Sequence, residues 1–302
     1  MCDGQINVDR ETLRVAPSLG LAVTWRREVR AGIERIWENV FDWEHLPVLH
    51  EMYFDTVELI EIGNWGWRVA LTKKPGTPDR RMVLELEANR ENARYRVQTL
   101  SGDGAGTEIW TLLTPAGPRR TAVEVRYYLP ERHPQRLAAL AHKYRASCAR
   151  LWDEDEAMMM RREEMTARAA RRSPGSGAAV SLGPLAELRG RLPLLVEFDG
   201  EPFRIVECAD GKLLAHATIC PHWLGPLDEV VPQNGILRCP WHGYRFDMRT
   251  GESADGRGYR LAPAPRVAVD PITGEATLVP CGRPILGNST VNRPSSGRKA
   301  QI

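Results

Sequence analysis

Cysteine is scarce in this chain, six in 302 residues, and four of the six follow no framework spacing. Cys2, Cys148, Cys208 and Cys281 are scattered, which suits reduced structural thiols in a cytoplasmic protein rather than a disulfide scaffold. Neither sign of charge dominates. Lys and Arg total 41 against 39 Asp and Glu, a net charge of +2, so there is no general drive toward nucleic acid or an anionic membrane. No apolar run approaches the length of a transmembrane helix. The opening MCDGQINVDRETLR lacks the basic and apolar regions of a secretory leader. No internal repeat is visible.

The other two cysteines carry the strongest signal. They stand in Cys220-Pro221-His222 and, after sixteen intervening residues, Cys239-Pro240-Trp241-His242. Two soft thiolates and two imidazoles suit a 2Fe–2S cluster with one iron held by sulfur and the other by nitrogen. A structural zinc ion is chemically adequate for the same set. Zinc fingers, however, usually pair Cys with Cys and His with His along the chain. Here each loop mixes the two, so each can give one ligand to each iron. Gly225 and Gly243 allow close backbone approach, and Pro221, Pro226 and Pro240 stiffen the loops. The stretches CPHWLGPL and CPWHGYRFDMRTGE resemble Rieske ferredoxins and the Rieske domains of bacterial ring-hydroxylating oxygenases. The loop disulfide of respiratory Rieske proteins has no counterpart, since Pro226 and Trp241 occupy the corresponding places.

The segment 171–181, small and flexible in composition, reads as a linker. After it, LPLLVEF, FRIVEC, KLLAHATIC, GILRCPW, YRFDMRTG, APRVAVD and EATLVP read as the short strands of a small all-β domain, 182–282. The tail 283–302, rich in Gly, Ser, Asn, Arg and Pro, reads as disordered. Before the linker, residues 15–170 begin with a strand (LAVTWRREV) and a helix over IERIWENVFDWEHL, with Ile33, Ile36, Trp37, Val40 and Phe41 on one stripe. Six strand-like runs follow, broken at Gly63-Asn64, Pro75-Gly76 and Gly117-Pro118, and then a long helix from Pro134. The glycines of SGDGAGT (101–107) read as a hairpin turn rather than a nucleotide loop. RREEMTARAARR (161–172) reads as the solvated end of the long helix, and Met158-Met159-Met160 as helix core with one exposed side chain. The order of elements resembles the START-like helix-grip fold, whose sheet wraps the closing helix around a ligand cavity. The class expected is α+β, with that domain first and the Rieske domain second.

The first helix runs into Asp42-Trp43-Glu44-His45-Leu46-Pro47-Val48-Leu49-His50. On an ideal helix, residues five apart point roughly 140° away from each other, so a regular helix would not aim both histidines at one metal. Pro47 removes a backbone donor between them and should break the helix there. A histidine or an acidic cluster on a helix is ordinarily solvated or part of a satisfied core. The Asp42, His45, His50 spacing, however, resembles the mononuclear iron motif of Rieske oxygenases. That resemblance implies a third, carboxylate ligand on the closing helix, where Asp155 matches by position and Asp153 stands in reserve. Two histidines and a carboxylate form the facial triad of non-haem Fe(II) oxygenases. The resemblance also places Asp42 on the path from cluster to iron.

One departure is plain, since in the common oxygenases the Rieske domain precedes the catalytic one. The family commonly passes electrons between neighbours in a ring trimer, so a homotrimer is implied, while the linker would also permit transfer within one chain. The function expected is NAD(P)H-dependent oxygenation through a separate reductase or ferredoxin. The electrons would cross His222 or His242 at an exposed edge, and dioxygen and a small organic substrate would meet at the second iron. Trp37, Trp43, Tyr53, Phe54, Trp65, Trp67 and Trp110 lean the substrate toward an apolar or aromatic one, though each is by default ordinary core. The alternatives are a Rieske electron carrier or sensor with a START-like ligand-binding domain, and a family member that holds both irons without turnover.

Overall fold

A computed structural model describes residues 13–74, 81–171 and 177–281. Cys2, the Pro75-Gly76 turn, part of the linker and the tail 283–302 lie outside the described residues. The chain divides into two compact units, Met1–Ser173 with Thr218–Leu261, and Pro174–Ala217 with Ala262–Ile302.

The first unit is built on a seven-stranded antiparallel sheet. Its strands are β1 (Gly20–Val29), β2 (Phe54–Gly63), β3 (Gly66–Lys73), β4 (Arg81–Asn89), β5 (Arg94–Ser101), β6 (Glu108–Gly117) and β7 (Arg120–Leu129), in the order β1-β7-β6-β5-β4-β3-β2. Five of the six contacts join strands adjacent in sequence, which short turns supply, while β1 closes against β7 at the far edge. The 101–107 glycines form the β5–β6 turn, with Gly102, Gly104 and Gly106 at positive φ. Alternate residues Val23 and Trp25 of β1 face the core, as period-2 patterning requires.

Helix α1 (Ile33–Phe41), the short α2 (Leu46–Leu49) and the long α3 (Pro134–Arg171) complete this part. Ile36, Trp37 and Val40 of α1 are buried as its stripe predicts, and Trp25 stacks on Trp152 of α3 with centroids 6.2 Å apart. Met158 and Met159 are buried and Met160 is half-buried. This is the helix-grip arrangement that the resemblance implied. From residue 218 to 261 the same unit holds the two cysteine loops and the short pair β12 (Ile236–Arg238) and β13 (Arg245–Asp247).

The second unit carries a sheet of β9 (Leu194–Phe198), β10 (Glu201–Glu207) and β11 (Leu213–Ala217), ordered β11-β10-β9. Its other sheet joins β8 (Val180–Pro184), β14 (Arg266–Val269) and β15 (Glu275–Val279), ordered β14-β15-β8, with the one-turn helix α4 (Leu185–Gly190) after β8.

One buried carboxylate fixes α3 against the end of β1. Glu156 Oε1 accepts from Arg30 N at 2.9 Å and Arg30 Nε at 2.8 Å, and its other oxygen meets Arg27. Burial alone would raise the pKa of this carboxyl, but the bonds from Arg30 and the charge of Arg27 hold it below the usual value. Because Asp155 is its neighbour, this clamp sets the height at which Asp155 enters the core. Glu156→Ala is expected to lower the unfolding free energy by about 2 kcal/mol, the typical worth of hydrogen bonds to charged groups, as read from urea denaturation.

Candidate metal centres and the adjoining cavity

The two cysteine loops are the same turn used twice. Cys220 N–H donates to the Gly225 carbonyl at 2.9 Å, and the Cys220 carbonyl accepts from Leu224 N at 3.0 Å. In the second loop Cys239 N–H donates to the Tyr244 carbonyl at 2.8 Å, and its carbonyl accepts from Gly243 N at 2.9 Å. Leu224 and Gly243 occupy equivalent places with φ of 62° and 72°. A left-handed residue four places after each cysteine turns the chain back over its sulfur. The histidine is two places after the cysteine in one loop and three in the other, and the rings meet edge to face with centroids 4.6 Å apart.

The donor set fits a cationic cluster. Nδ1 of His222 and Nδ1 of His242 are buried with no hydrogen-bond partner. Both thiols are buried side by side, and they cannot both ionise without a positive charge between them. Cys220 is accordingly driven upward by Cys239 and by burial, while the bond from Cys220 and the N–H groups of Trp241 and His242 hold Cys239 down. Burial and the facing His242 push His222 down to about 4, keeping its ring neutral as a ligand must be. Tyr244 stacks on His222 at 4.2 Å. A Cβ on Gly225 would lie 2.8 Å from Cys239 Sγ, so only glycine lets the first loop pass over the second sulfur.

The second candidate centre forms where α1 stops. Asp42 leaves the helix in an extended conformation, its N–H bonded back to the Asn39 carbonyl at 3.1 Å. The break therefore comes five residues before Pro47, which sits inside the first turn of α2, where proline is tolerated. His45 and His50 flank α2 as its caps, and their ring centroids are 5.0 Å apart. Asp155 completes the group, since ligand atoms of His45, His50 and Asp155 all lie within 4.8 Å of one another. Nε2 of His45 and Nε2 of His50 stand 3.5 and 3.2 Å from Asp155 Oδ1. Asp153 is turned away, paired with Arg27 and largely exposed.

Two of the three ligand candidates are hydrogen-bonded from behind, as metal ligands usually are. His50 Nδ1 lies 2.8 Å from Glu154 Oε2, and Asn39 Nδ2 donates to Asp155 Oδ1 at 3.1 Å. Burial disfavours charge on His50, yet Asp155 and Glu154 pull its pKa above the usual value. The pocket thus attracts positive charge. Asn39 and Glu154 were not singled out from the sequence. Asn39 stood out as a polar residue between the buried Ile36 and Val40, and Glu154 was one of four clustered acids.

Asp42 joins the two centres. Its Oδ2 lies 2.6 Å from His242 Nε2 and 3.2 Å from His45 Nδ1. Burial works to raise its pKa, but the two histidines hold it well below the usual carboxylate range. His242, expected at an exposed edge, is instead buried, because its outer nitrogen is spent on Asp42. His222 is half-buried. Further ties hold the loops to this part of the unit. Arg161 donates to Asp228 at 3.0 Å, Arg162 lies 4.3 Å over the Trp223 ring, and Tyr244 Oη donates to Glu44 at 3.4 Å.

Comparison with known proteins agrees with the loop geometry. Residues 179–263 match the Rieske [2Fe-2S] domain. All four cluster-ligand candidates fall inside that match. The oxygenase component of dicamba O-demethylase from Stenotrophomonas maltophilia is 41% identical over 46 residues, which is 15% of this chain and 14% of that protein. Apoptosis-inducing factor 3 of Mus musculus is 41% identical over 49 residues, 16% of this chain and 8% of that protein. Both matches therefore span a small fraction of the relatives' own length. A START superfamily protein from Mycobacterium smegmatis is similar in structure over 46% of this chain and 99% of its own, at 20% identity and a TM-score of 0.37. Among the described residues no helix is long and apolar enough to cross a membrane.

A cavity of about 190 Å³ opens beside His45, His50 and Asp155, between the sheet and α3. Of the aromatics noted in the sequence, Phe54 and Trp67 line it. Trp37 is core and Trp110 packs in a separate cluster with Leu13 and Leu19. Gly225→Ala is expected to cost about 1–3 kcal/mol through overpacking and to deplete the cluster, as measured by acid-labile sulfide. Gly190→Ala, whose Cβ would meet nothing within 4 Å, should leave sulfide content unchanged.

Proposed function

We propose that the chain is a Rieske-type oxygenase, an oxidoreductase that takes electrons at a 2Fe–2S cluster on Cys220, Cys239, His222 and His242 and spends them at a mononuclear iron on His45, His50 and Asp155. The observation that carries the reading is the junction at Asp42, whose Oδ2 stands within 2.6 Å of one cluster-ligand candidate and 3.2 Å of one iron-ligand candidate. When bound, a cluster on these ligands would supply electrons singly, and an iron on His45, His50 and Asp155 would supply dioxygen activation.

The residues divide the remaining work. Asp42 accepts the N–H of His242 at Nε2, which leaves Nδ1 as the lone-pair nitrogen for the cluster. Glu154 does the same for His50, fixing Nε2 toward Asp155. Asn39 aims the Asp155 carboxylate. The mostly apolar lining of the cavity would disfavour water where substrate would sit. A separate reductase or ferredoxin is the partner this reading requires.

The junction lies within one chain and one compact unit. Electrons on this reading pass inside the chain, and no ring of subunits is needed to bring the centres together.

Two experiments test the proposal. Anaerobically purified protein supplied with Fe(II) should hold three irons per chain, and His45→Ala two, with the cluster's paramagnetic resonance signal retained. Two irons in the parent protein would favour a Rieske electron carrier. Mixing a Cys220→Ser chain with a His45→Ala chain should restore no substrate-dependent oxygen uptake. Restoration toward the parent rate would mean that electrons cross between chains.

A further inference from the structure

A groove of about 570 Å³ opens beside the second cysteine loop, between α2 and the β12–β13 ribbon. Val48 of α2 and Glu51 line one side, and Ile236, Arg238 and Arg245 of the ribbon line another. Cys239 and Pro240 also reach it, so it borders the loop that carries two cluster-ligand candidates. It shares no lining residue with the cavity beside His45, His50 and Asp155.

Its two arginines stand against electrostatic preference. Arg238 and Arg245 are direct cross-strand partners, so their side chains leave the same face of the ribbon. Like charges directly opposite each other destabilise a strand pair. Leu237 and Phe246, the neighbouring pair, are wholly buried on the other face, which pins both arginines outward. Among the described residues neither guanidinium has a carboxylate within ion-pair distance. Asp247 lies on the same face, but it accepts from Arg249 N and Thr250 N at 2.8 and 2.9 Å. Glu51 is the one acid among the described lining residues. The remaining lining is apolar or amide, with Val230 and Val231 beside Gln233 and Asn234.

A pair of facing guanidinium forks is a strong acceptor of oxyanions. The near-double charge and three oxygens of a phosphate monoester match the pair better than one carboxylate does. Ligand sites run from about 300 to 1,000 Å³, so there is room for an organic body on the valine side. The groove also communicates with the cluster loop. A Cβ on Gly243 would lie 3.5 Å from Arg238 Nη2 and 3.3 Å from Val48 Cγ2. The Arg238 guanidinium therefore rests against the turn that closes over Cys239.

We propose that this groove binds an organic phosphate across Arg238 and Arg245, and that its occupancy lowers the reduction potential of the cluster. Reduction adds one negative charge close to the bound phosphate. The phosphate therefore favours the oxidised cluster, and by linkage the oxidised cluster binds it more tightly. Binding rests on the groove alone and the change in potential on the cluster reading. Neither depends on turnover at the second iron.

Calorimetric titration of the full, cluster-loaded chain with phenyl phosphate tests the binding. The Arg238→Gln/Arg245→Gln double variant should bind the probe about ten-fold or more weakly than the parent. Inorganic phosphate, phenylacetate and benzyl alcohol each lack part of the ligand and should bind more weakly to the parent. A redox titration followed by the visible spectrum of the cluster tests the coupling. The potential should fall as phenyl phosphate saturates the groove, by about 59 mV for a ten-fold preference for the oxidised form. Arg245→Gln leaves the residue next to Cys239 intact and should remove most of that fall. Equal affinity in the double variant, inorganic phosphate binding as tightly as phenyl phosphate, or an unchanged potential at saturation would overturn the proposal. So would binding of poly-glutamate without binding of phenyl phosphate, which would make the groove a face for an acidic protein. If both results come out as expected in a chain that holds only two irons, the groove assignment stands and the oxygenase reading fails.

Discussion

A single carboxylate placed between two imidazoles organises the first unit. Asp42 could not hold this position if α1 continued for one more turn, because a helical Asp42 would be carried around the axis with the rest of its stripe. The helix stops at Phe41, and Asp42 turns extended with its side chain free to reach both His45 and His242. The energetic risk is large, since a buried carboxylate without partners would be driven to its neutral form. Two histidines remove that risk. The same bonds decide which nitrogen of His242 faces away toward the cysteines. The orientation of both rings thus rests on one interaction, which also ties the second cysteine loop to the end of α1.

Much of this was legible in the sequence, and the reasons differ by element. Six strands of the large sheet were marked by the turn residues between them and the first by its alternation, all of them local signals. The cysteine loops were legible because thiolate and imidazole in mixed pairs have few structural uses. The helix break was expected at Pro47 and occurs at Asp42, since proline is tolerated in a first turn and the peptide before it had to open for the carboxylate. His242 was expected at an exposed edge and is buried, because its partner lies two hundred residues away. The grip of Arg27 and Arg30 on Glu156 spans 129 and 126 residues, and no local pattern announces such a pair.

The acidic run from Asp153 to Glu156 shows how one helix turn can separate roles that composition leaves identical. Asp153 meets Arg27 at the surface, Glu154 backs His50, Asp155 faces the two histidines, and Glu156 is clamped by arginines. Helical geometry rotates successive residues by about 100°, so four adjacent acids reach four different surroundings. Their pKa directions follow: Asp155 and Glu156 are both held low, one by histidines and the other by arginines.

The chain leaves the second unit after Ala217 and re-enters it at Ala262. The two strands that bracket this departure, β11 and β14, contact each other. Thr218–Leu261 is therefore an excursion that starts and finishes near one place, carrying all four sulfur and nitrogen donors with it. An excursion of this kind does not register whether its host strands come early or late in the gene. What it requires is a face to land on, and here it is part of the unit that holds Asp42. The contact between His242 and Asp42 therefore depends on where the excursion lands and not on the order of its host strands along the chain.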